Sequence, residues 1–425
     1  MGRSVALNLI AAATTQGSTL AVNAVVANLL GQHAFGRYTI VLTTVAALAT
    51  IGQLSMGYTA TKHVAELRVT APRRAERILA LCGAVSVAAG LIAAVVLALS
   101  AQWLAVAVLE SPDLVRLLRL SAVAVFFAVV TGFATGALAG LEGYAGLART
   151  GIVSGALYLL LGVSGAKSFG LEGAVGGVVL SGSLQCVLLL YVLWRRAAAL
   201  GLRPHLRALS QERAILLRFA LPASLTGLVA MPAFWASSAM LARQSGYDQL
   251  ALFGAANMFR TMVLFVPQAV NTVGMSLLNN QLRSSAAGYR RVFWTNASLT
   301  MAAACTAAAG LYFAGAPLLR LFGPGFDAAG PALAVLLVAA VVEALAVAVY
   351  QIVVSRGSIW ASLLGVSLPR EVTIVTLAAV LSARYGAVGL ATAYAAGWTC
   401  ALVGILVLVQ RLGFTPPRMP EPAGS

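Results

Sequence analysis

The sequence predicts an all-α integral membrane protein of about twelve transmembrane helices, in two six-helix lobes related by a parallel repeat. Three observations lead there. Of the 425 residues 60% are hydrophobic and only 9% charged, whereas a soluble domain carries roughly 25% charged residues. Apolar stretches able to cross a hydrocarbon core of about 30 Å follow one another along the chain. The basic residues between them are plentiful on one side and scarce on the other.

Ten stretches are free of Asp, Glu, Lys and Arg, beginning with Ser4 to Gly36, Tyr38 to Thr61, Ile78 to Leu109 and Leu120 to Leu141. Thr150 to Ala166, Gly173 to Trp194, Phe219 to Ala242, Thr261 to Leu282, Val292 to Leu319 and Tyr385 to Gln410 continue the series. Ala328 to Ser355 and Gly357 to Ala383 are apolar but interrupted by charge, and bring the expected crossings to twelve. The first stretch is too long for a signal-peptide core and lacks a small-residue cleavage pattern, so it reads as a retained helix.

With the first residue inside, nineteen of the 28 Lys and Arg fall in segments on that side, five on the other and four within spans. This bias places both termini in the cytoplasm. The net charge of +16 is then a topology signal, and nucleic acid is not an expected partner. Cys82, Cys186, Cys305 and Cys400 all fall inside spans, where they form neither a disulfide framework nor a zinc spacing and read as buried, inert thiols.

Loops are short except for a basic one from Arg195 to Arg218, which divides residues 1–194 from 219–425. The two parts look related. Phe169-Gly170-Leu171-Glu172-Gly173-Ala174 precedes the sixth span and Tyr385-Gly386-Ala387-Val388-Gly389-Leu390 the twelfth, an offset of 216 at which Arg195 and Arg411 also coincide. Phe35-Gly36 matches Phe253-Gly254 at an offset of 218. Six spans per repeat give both lobes one orientation, as in transporters with parallel repeats.

Polar residues concentrate in the first span: Asn8, Thr14, Thr15, Gln16, Ser18, Thr19, Asn23 and Asn28. They read as a wetted face, with interhelical hydrogen bonding as the alternative. Gly132, Gly136 and Gly140 form a small-residue ridge suited to close helix packing.

Several segments carry a family resemblance. Leu30-Gly31-Gln32-His33-Ala34-Phe35-Gly36-Arg37-Tyr38 resembles the opening signature of the polysaccharide flippases, within the multidrug/oligosaccharidyl-lipid/polysaccharide exporter superfamily. Gly52 to Glu66 resembles the end of that family's second helix. Leu321-Phe322-Gly323-Pro324-Gly325-Phe326 and the two Phe/Tyr-Gly motifs are similar to other recurrent pieces. The resemblance runs from about Asn8 to Leu412 and rests on order and spacing. Some members have fourteen spans, whereas this chain has room for twelve. The resemblance implies a V-shaped pair of six-helix lobes with a central cavity. It also implies translocation of a polyprenyl-diphosphate-linked oligosaccharide from the cytoplasmic to the outer leaflet by alternating access. The implied partners are that lipid, the surrounding membrane lipids and other polysaccharide assembly proteins.

Ionisable groups at bilayer depth are functional candidates. Arg116, Arg119, Arg260, Glu343, Arg370 and Glu371 qualify. Arg370 lies fourteen residues from both Arg356 and Arg384, roughly 21 Å from either flank at about 1.5 Å per residue, too deep to snorkel. Glu343 sits at similar depth, and a buried Arg370–Glu343 pair is one expectation; headgroup binding or gating is the other. Glu371 follows Arg370 directly, so the two are expected to face different ways. Pro369 is expected to loosen the helix there. Arg260 has no acidic residue near it in its span and is expected to be unpaired, suited to a phosphate. Arg116 and Arg119 read as snorkelling from near Asp113, and Arg37 at the mouth of the second helix is a further cavity candidate.

His33, His63 and His205 fall at no metal-ligand spacing, so neither metal nor cofactor is expected. No phosphate loop, nucleophile elbow or sizeable extramembrane segment supports an enzyme. The remaining alternative to a flippase is a drug or cation antiporter of the same fold, with Glu343 or Glu371 as the coupling carboxylate. Arginines outnumber acids within the spans by four to two, which favours an anionic substrate.

Overall fold

In hydrocarbon no water is available to the backbone, so each N–H and C=O must be satisfied within the protein, and a helix does this within its own segment. The computed structural model of the chain describes residues 2–203, 212, 221–281, 286–354 and 359–412, and among them there is no strand. The helices are α1 (Gly2–Gln53), α2 (Met56–Thr70), α3 (Pro72–Trp103), α4 (Leu114–Gly140) and α5 (Tyr144–Ala199). They continue with α6 (Leu221–Ser245), α7 (Tyr247–Gln281), α8 (Ala286–Arg320), α9 (Gly330–Val354), α10 (Ile359–Ser362) and α11 (Leu368–Leu412).

Among the described residues eight helical segments are long and apolar enough to cross a membrane. Three of them are two helices joined across a break, at Gly31 in α1, at Phe169-Gly170 in α5 and at Gly386 in α11. With α6, this accommodates the twelve crossings expected from the sequence, and the protein is a multi-pass membrane protein. The second crossing ends earlier than its apolar stretch, because Leu54 and Ser55 adopt left-handed conformations and Met56 starts the separate helix α2. Pro369 is accommodated by a π-helical turn over Leu363–Ser367 immediately before α11, consistent with the loosening its missing N–H calls for.

The breaks in α5 and α11, 216 residues apart, share one geometry. Gly170 has φ 58° and ψ −136°, and Gly386 has φ 53° and ψ −130°. These are values that essentially only glycine adopts. Three residues after each break another glycine meets the backbone five residues before that break: a Cβ on Gly173 would lie 2.0 Å from the Gly165 carbonyl oxygen, and one on Gly389 2.1 Å from that of Leu381. The matched motifs therefore mark matched turns.

The chain packs as two compact units, Met1–Ala251 with Leu321–Gly325 and Leu252–Arg320 with Phe326–Ser425. The division falls inside α7, not in the 195–218 linker, most of which lies outside the described residues. Within the first unit α6 packs on α1, and Trp235 donates its indole N–H to Thr44 Oγ1 at 2.8 Å. The glycine ridge of α4 packs on α2: a Cβ on Gly136 would lie 2.1 Å from the Gly57 oxygen, and Thr61 Oγ1 donates to the Gly136 carbonyl at 2.8 Å. Met56, Val64, Ile78, Phe133, Leu138 and Leu189 close the core where α2 to α5 converge. From the linker, Glu212 is buried and accepts from Arg74 Nε at 3.1 Å and Arg77 Nη2 at 3.1 Å. Cys82 and Cys186 are buried as expected, but Cys305 is exposed on the surface of α8 and Cys400 is half-buried, since a span is apolar on the faces it shows to lipid as well.

Gly170→Ala and Gly386→Ala should each cost about 1–3 kcal/mol, because alanine meets a Cβ penalty at these angles. Thermal unfolding in detergent micelles should show a lower midpoint for both. Gly176→Ala, at a helical glycine with open space around it, should leave the midpoint where it is.

Candidate functional site

Four charges that the sequence places at bilayer depth converge in the second unit. Arg260 of α7 donates through Nη1 to Glu343 Oε2 of α9, and through Nε to Asn257 Oδ1, one turn earlier, at 2.7 Å. The Arg260 and Glu343 side chains are only 9% and 13% exposed, so neither charge is left to water. On α11, Arg370 donates through Nε to Glu371 Oε1 at 2.7 Å, with a second bond from Nη2. Each guanidinium also lies over an aromatic ring: Arg260 is 4.8 Å from the centre of Tyr394 and Arg370 is 4.4 Å from that of Trp398. A desolvated cation–π contact of this kind contributes about 2 kcal/mol or more. The field of Arg370 reaches Glu343, and that of Glu343 reaches Glu371, so the four act as one network with balanced charge.

Two expectations from the sequence are overturned. Arg260 is not unpaired: its acid comes from a helix 83 residues away in the chain, which one helix's sequence cannot reveal. Glu343 bonds Arg260 rather than Arg370, and Arg370 turns to its own neighbour Glu371. Adjacent Cα–Cβ vectors diverge, but a guanidinium on three methylenes is long enough to curl back across that divergence. Tyr394, Trp398 and Asn257 were missed, because a Tyr or Trp in an apolar helix carries no signal of the cation above it.

A second polar cluster in this unit is uncharged. Asn271 Oδ1 accepts from Gln351 Nε2 at 2.9 Å, Asn296 Nδ2 at 3.1 Å and Thr300 Oγ1 at 3.2 Å, joining α7, α8 and α9. All four residues are buried, and the arrangement is interhelical hydrogen bonding.

Arg37 belongs to the first unit and sits in a different environment. It is 3.4 Å from Asp113 and 5.7 Å from the centre of the Tyr247 ring. Around it, Arg243 meets Glu110 at 2.7 Å, His33 meets Asp248 at 3.6 Å, and Tyr247 donates to the Leu109 carbonyl at 2.9 Å. These contacts tie the break in α1 to the α3–α4 and α6–α7 connections. Arg116, 81% exposed, pairs with Glu172 at 3.1 Å. With Arg119 and Phe169 they border a groove of about 850 Å³ on α4 and α5. Of the remaining histidines, His63 lies 3.8 Å from Glu66, with burial pushing its pKa down, and His205 falls outside the described residues.

In the first helix, Asn8, Thr14 and Thr15 have side chains outside the described set. Asn23 is buried and donates to the Thr19 carbonyl at 2.7 Å. Tyr38 and Tyr158 share a hydrogen bond of 3.2 Å. Ser18 and Thr19 line a cavity of about 250 Å³ with Ser154, Tyr158, Ser181 and Gln185 of α5. The polar face thus serves both readings: part bonds between helices and part borders open space.

This arrangement of helices is that of transporters of the multidrug/oligosaccharidyl-lipid/polysaccharide superfamily. An inward-facing multidrug resistance MATE transporter of that superfamily superposes with a TM-score of 0.73 at 17% identity, covering 94% of both chains. The lipid II flippase MurJ in an inward closed conformation superposes with a TM-score of 0.74 at 14% identity, over 95% of this chain and 87% of that one. The chain belongs to the family of polysaccharide biosynthesis proteins, which matches residues 1–276. The EPS I polysaccharide export inner membrane protein EpsE of Ralstonia nicotianae is 25% identical over 416 residues, 96% of this chain and 92% of that protein.

Removing one partner of a buried ion pair strands the other charge, at about 3–5 kcal/mol, whereas removing both does not. Arg260→Ala should therefore reduce membrane abundance and thermal stability more than Arg260→Ala with Glu343→Ala. Equal losses in the single and double variants would contradict the pairing.

Proposed function

We propose that the protein is a flippase that moves a polyprenyl-diphosphate-linked oligosaccharide across the cytoplasmic membrane for surface polysaccharide synthesis, by alternating access. Membership of the polysaccharide biosynthesis family is the observation that carries this reading. The relative in EPS I polysaccharide export and the fold shared with the lipid II flippase MurJ agree with it. Two six-helix lobes, 1–194 and 219–425, joined by the basic linker 195–218, form the transport body. Its partners are the lipid-linked oligosaccharide, membrane lipids and other polysaccharide assembly proteins.

The buried network supplies the chemistry for a diphosphate. Arginine's planar fork binds a carboxylate and a phosphate in the same bidentate way, so an arriving diphosphate competes with Glu343 and Glu371 for Arg260 and Arg370. Aromatic rings under both guanidinium groups keep them oriented during that exchange. Arg37 is the candidate contact in the first unit. A drug or cation antiporter is the second reading, favoured by the MATE-like fold and by the carboxylates of Glu371, which is buried, and Glu343, whose side chain is 13% exposed.

The test is surface polysaccharide in a deletion strain complemented by variants, with membrane abundance measured alongside. Arg260→Ala with Glu343→Ala removes the pair without stranding a charge and should insert normally. Export should still fall about tenfold or more, the effect of losing charge-assisted hydrogen bonds of about 1.5–3 kcal/mol. Arg370→Lys keeps the charge but not the fork and should retain partial export. Full export by both would remove the network from the transport site, and a loss of resistance to cationic dyes without any glycan defect would favour the antiporter.

The charge bias orients this body with both termini in the cytoplasm. Reporter fusions after Arg77, Arg213, Arg290 and Arg418 should report cytoplasm, and fusions near Asp113, Asp248 and Asp327 the outer side. An outward-facing linker would reverse the orientation.

A further inference from the structure

The offset of 216 that relates the two helix breaks also relates two interiors that have diverged. Subtracting it from the network of the second unit carries Arg370 and Glu371 onto Ser154 and Gly155, and Tyr394 and Trp398 onto Val178 and Gly182. All four of these smaller residues line the cavity of about 250 Å³ in the first unit. Where the second half of the chain fills its interior with two charges and two aromatic rings, the first half leaves it open.

The wall of that opening is polar without being charged. Ser18, Thr19, Ser154, Tyr158, Ser181 and Gln185 contribute hydroxyl and amide groups, and among the described residues no Asp, Glu, Lys or Arg lines it. Ser154 is 7% exposed, and its Oγ is buried without a hydrogen-bond partner in the structure. Most buried hydroxyls are bonded, so this one at a cavity wall leaves a ligand an unused donor and acceptor. At Gly182 an added Cβ would meet nothing within 4 Å, so the space is open where the second half places Trp398.

We propose that this cavity is a subsite for one neutral sugar ring of the lipid-linked headgroup. Among the described residues an ion has nothing here to balance its charge, whereas a sugar is a neutral array of hydroxyls. Serine, threonine and tyrosine hydroxyls and a glutamine amide can each donate or accept, which suits such an array at any anomeric or epimeric arrangement. The Tyr158 ring offers a flat apolar surface, and the bond of its hydroxyl to Tyr38 fixes its orientation. The cavity holds a single ring rather than a chain. The subsite rests on the flippase reading.

The experiment is equilibrium binding by the purified full-length chain in nanodiscs. The probes are undecaprenyl diphosphate and the same lipid bearing one glucose, galactose or N-acetylglucosamine. The wild type should bind at least one sugar-bearing lipid roughly tenfold or more tightly than the bare lipid, as expected from a few added hydrogen bonds. Gly182→Trp, which fills the cavity as the second half does, should abolish that preference and leave affinity for the bare lipid intact. Ser154→Ala, too small a change to disturb packing, should weaken the preference severalfold, and it decides the matter if Gly182→Trp binds neither lipid. Preference retained in the variants, or absent from the wild type for all three sugars, overturns the subsite and leaves the flippase reading standing. Binding of neither lipid by the wild type overturns both.

Discussion

A charge carried to the depth of a bilayer must be balanced there, because neither water nor lipid will do it. In this protein the constraint is met by Arg260 against Glu343, with Arg370 and Glu371 beside them. Because the pair bridges α7 and α9, helices far apart in the chain are held in one register. Tyr394 and Trp398 on the second segment of α11 then close over the guanidinium groups. The break at Gly386 is what turns that segment back along the first, so a glycine conformation and an ionic network depend on each other.

Such a network contributes little net stability, since desolvation of each ion offsets most of the attraction. Its worth lies in poise. Two guanidinium groups already dehydrated and oriented can exchange one oxyanion for another with little reorganisation, as the proposed flippase reading requires. The neutral polar cluster of Asn271, Asn296, Thr300 and Gln351 does the more ordinary work of fastening helices. It holds α7, α8 and α9 together without offering a charge to exchange.

Duplication explains why the two halves can differ so much in chemistry. The matched breaks at Gly170 and Gly386 preserve the backbone, while the side chains facing inward are free to change. Ser154, Gly155, Val178 and Gly182 are smaller than their counterparts by most of a side chain each. The resulting space is polar in the first half, whereas the interior of the second half is ionic. Arg37, by contrast, joins Asp113 and Tyr247 among the connections between helices, where water can share the load.

The sequence by itself determined the solvent, the number of crossings and the depth of the charges. Each of these follows from composition along a single helix: twenty apolar residues span a bilayer wherever they occur, and Arg260, Glu343, Arg370 and Glu371 are deep whatever packs beside them. The Phe/Tyr-Gly motifs were legible as repeats because a backbone turn needs glycine locally. Which acid meets which arginine was decided only by tertiary structure. Arg260 and Glu343 are 83 residues apart, and nothing in either helix records the rotation that brings them together. The cavity beside Ser154 was equally hidden, since empty space belongs to no residue and arises only where several small side chains from different helices face one another.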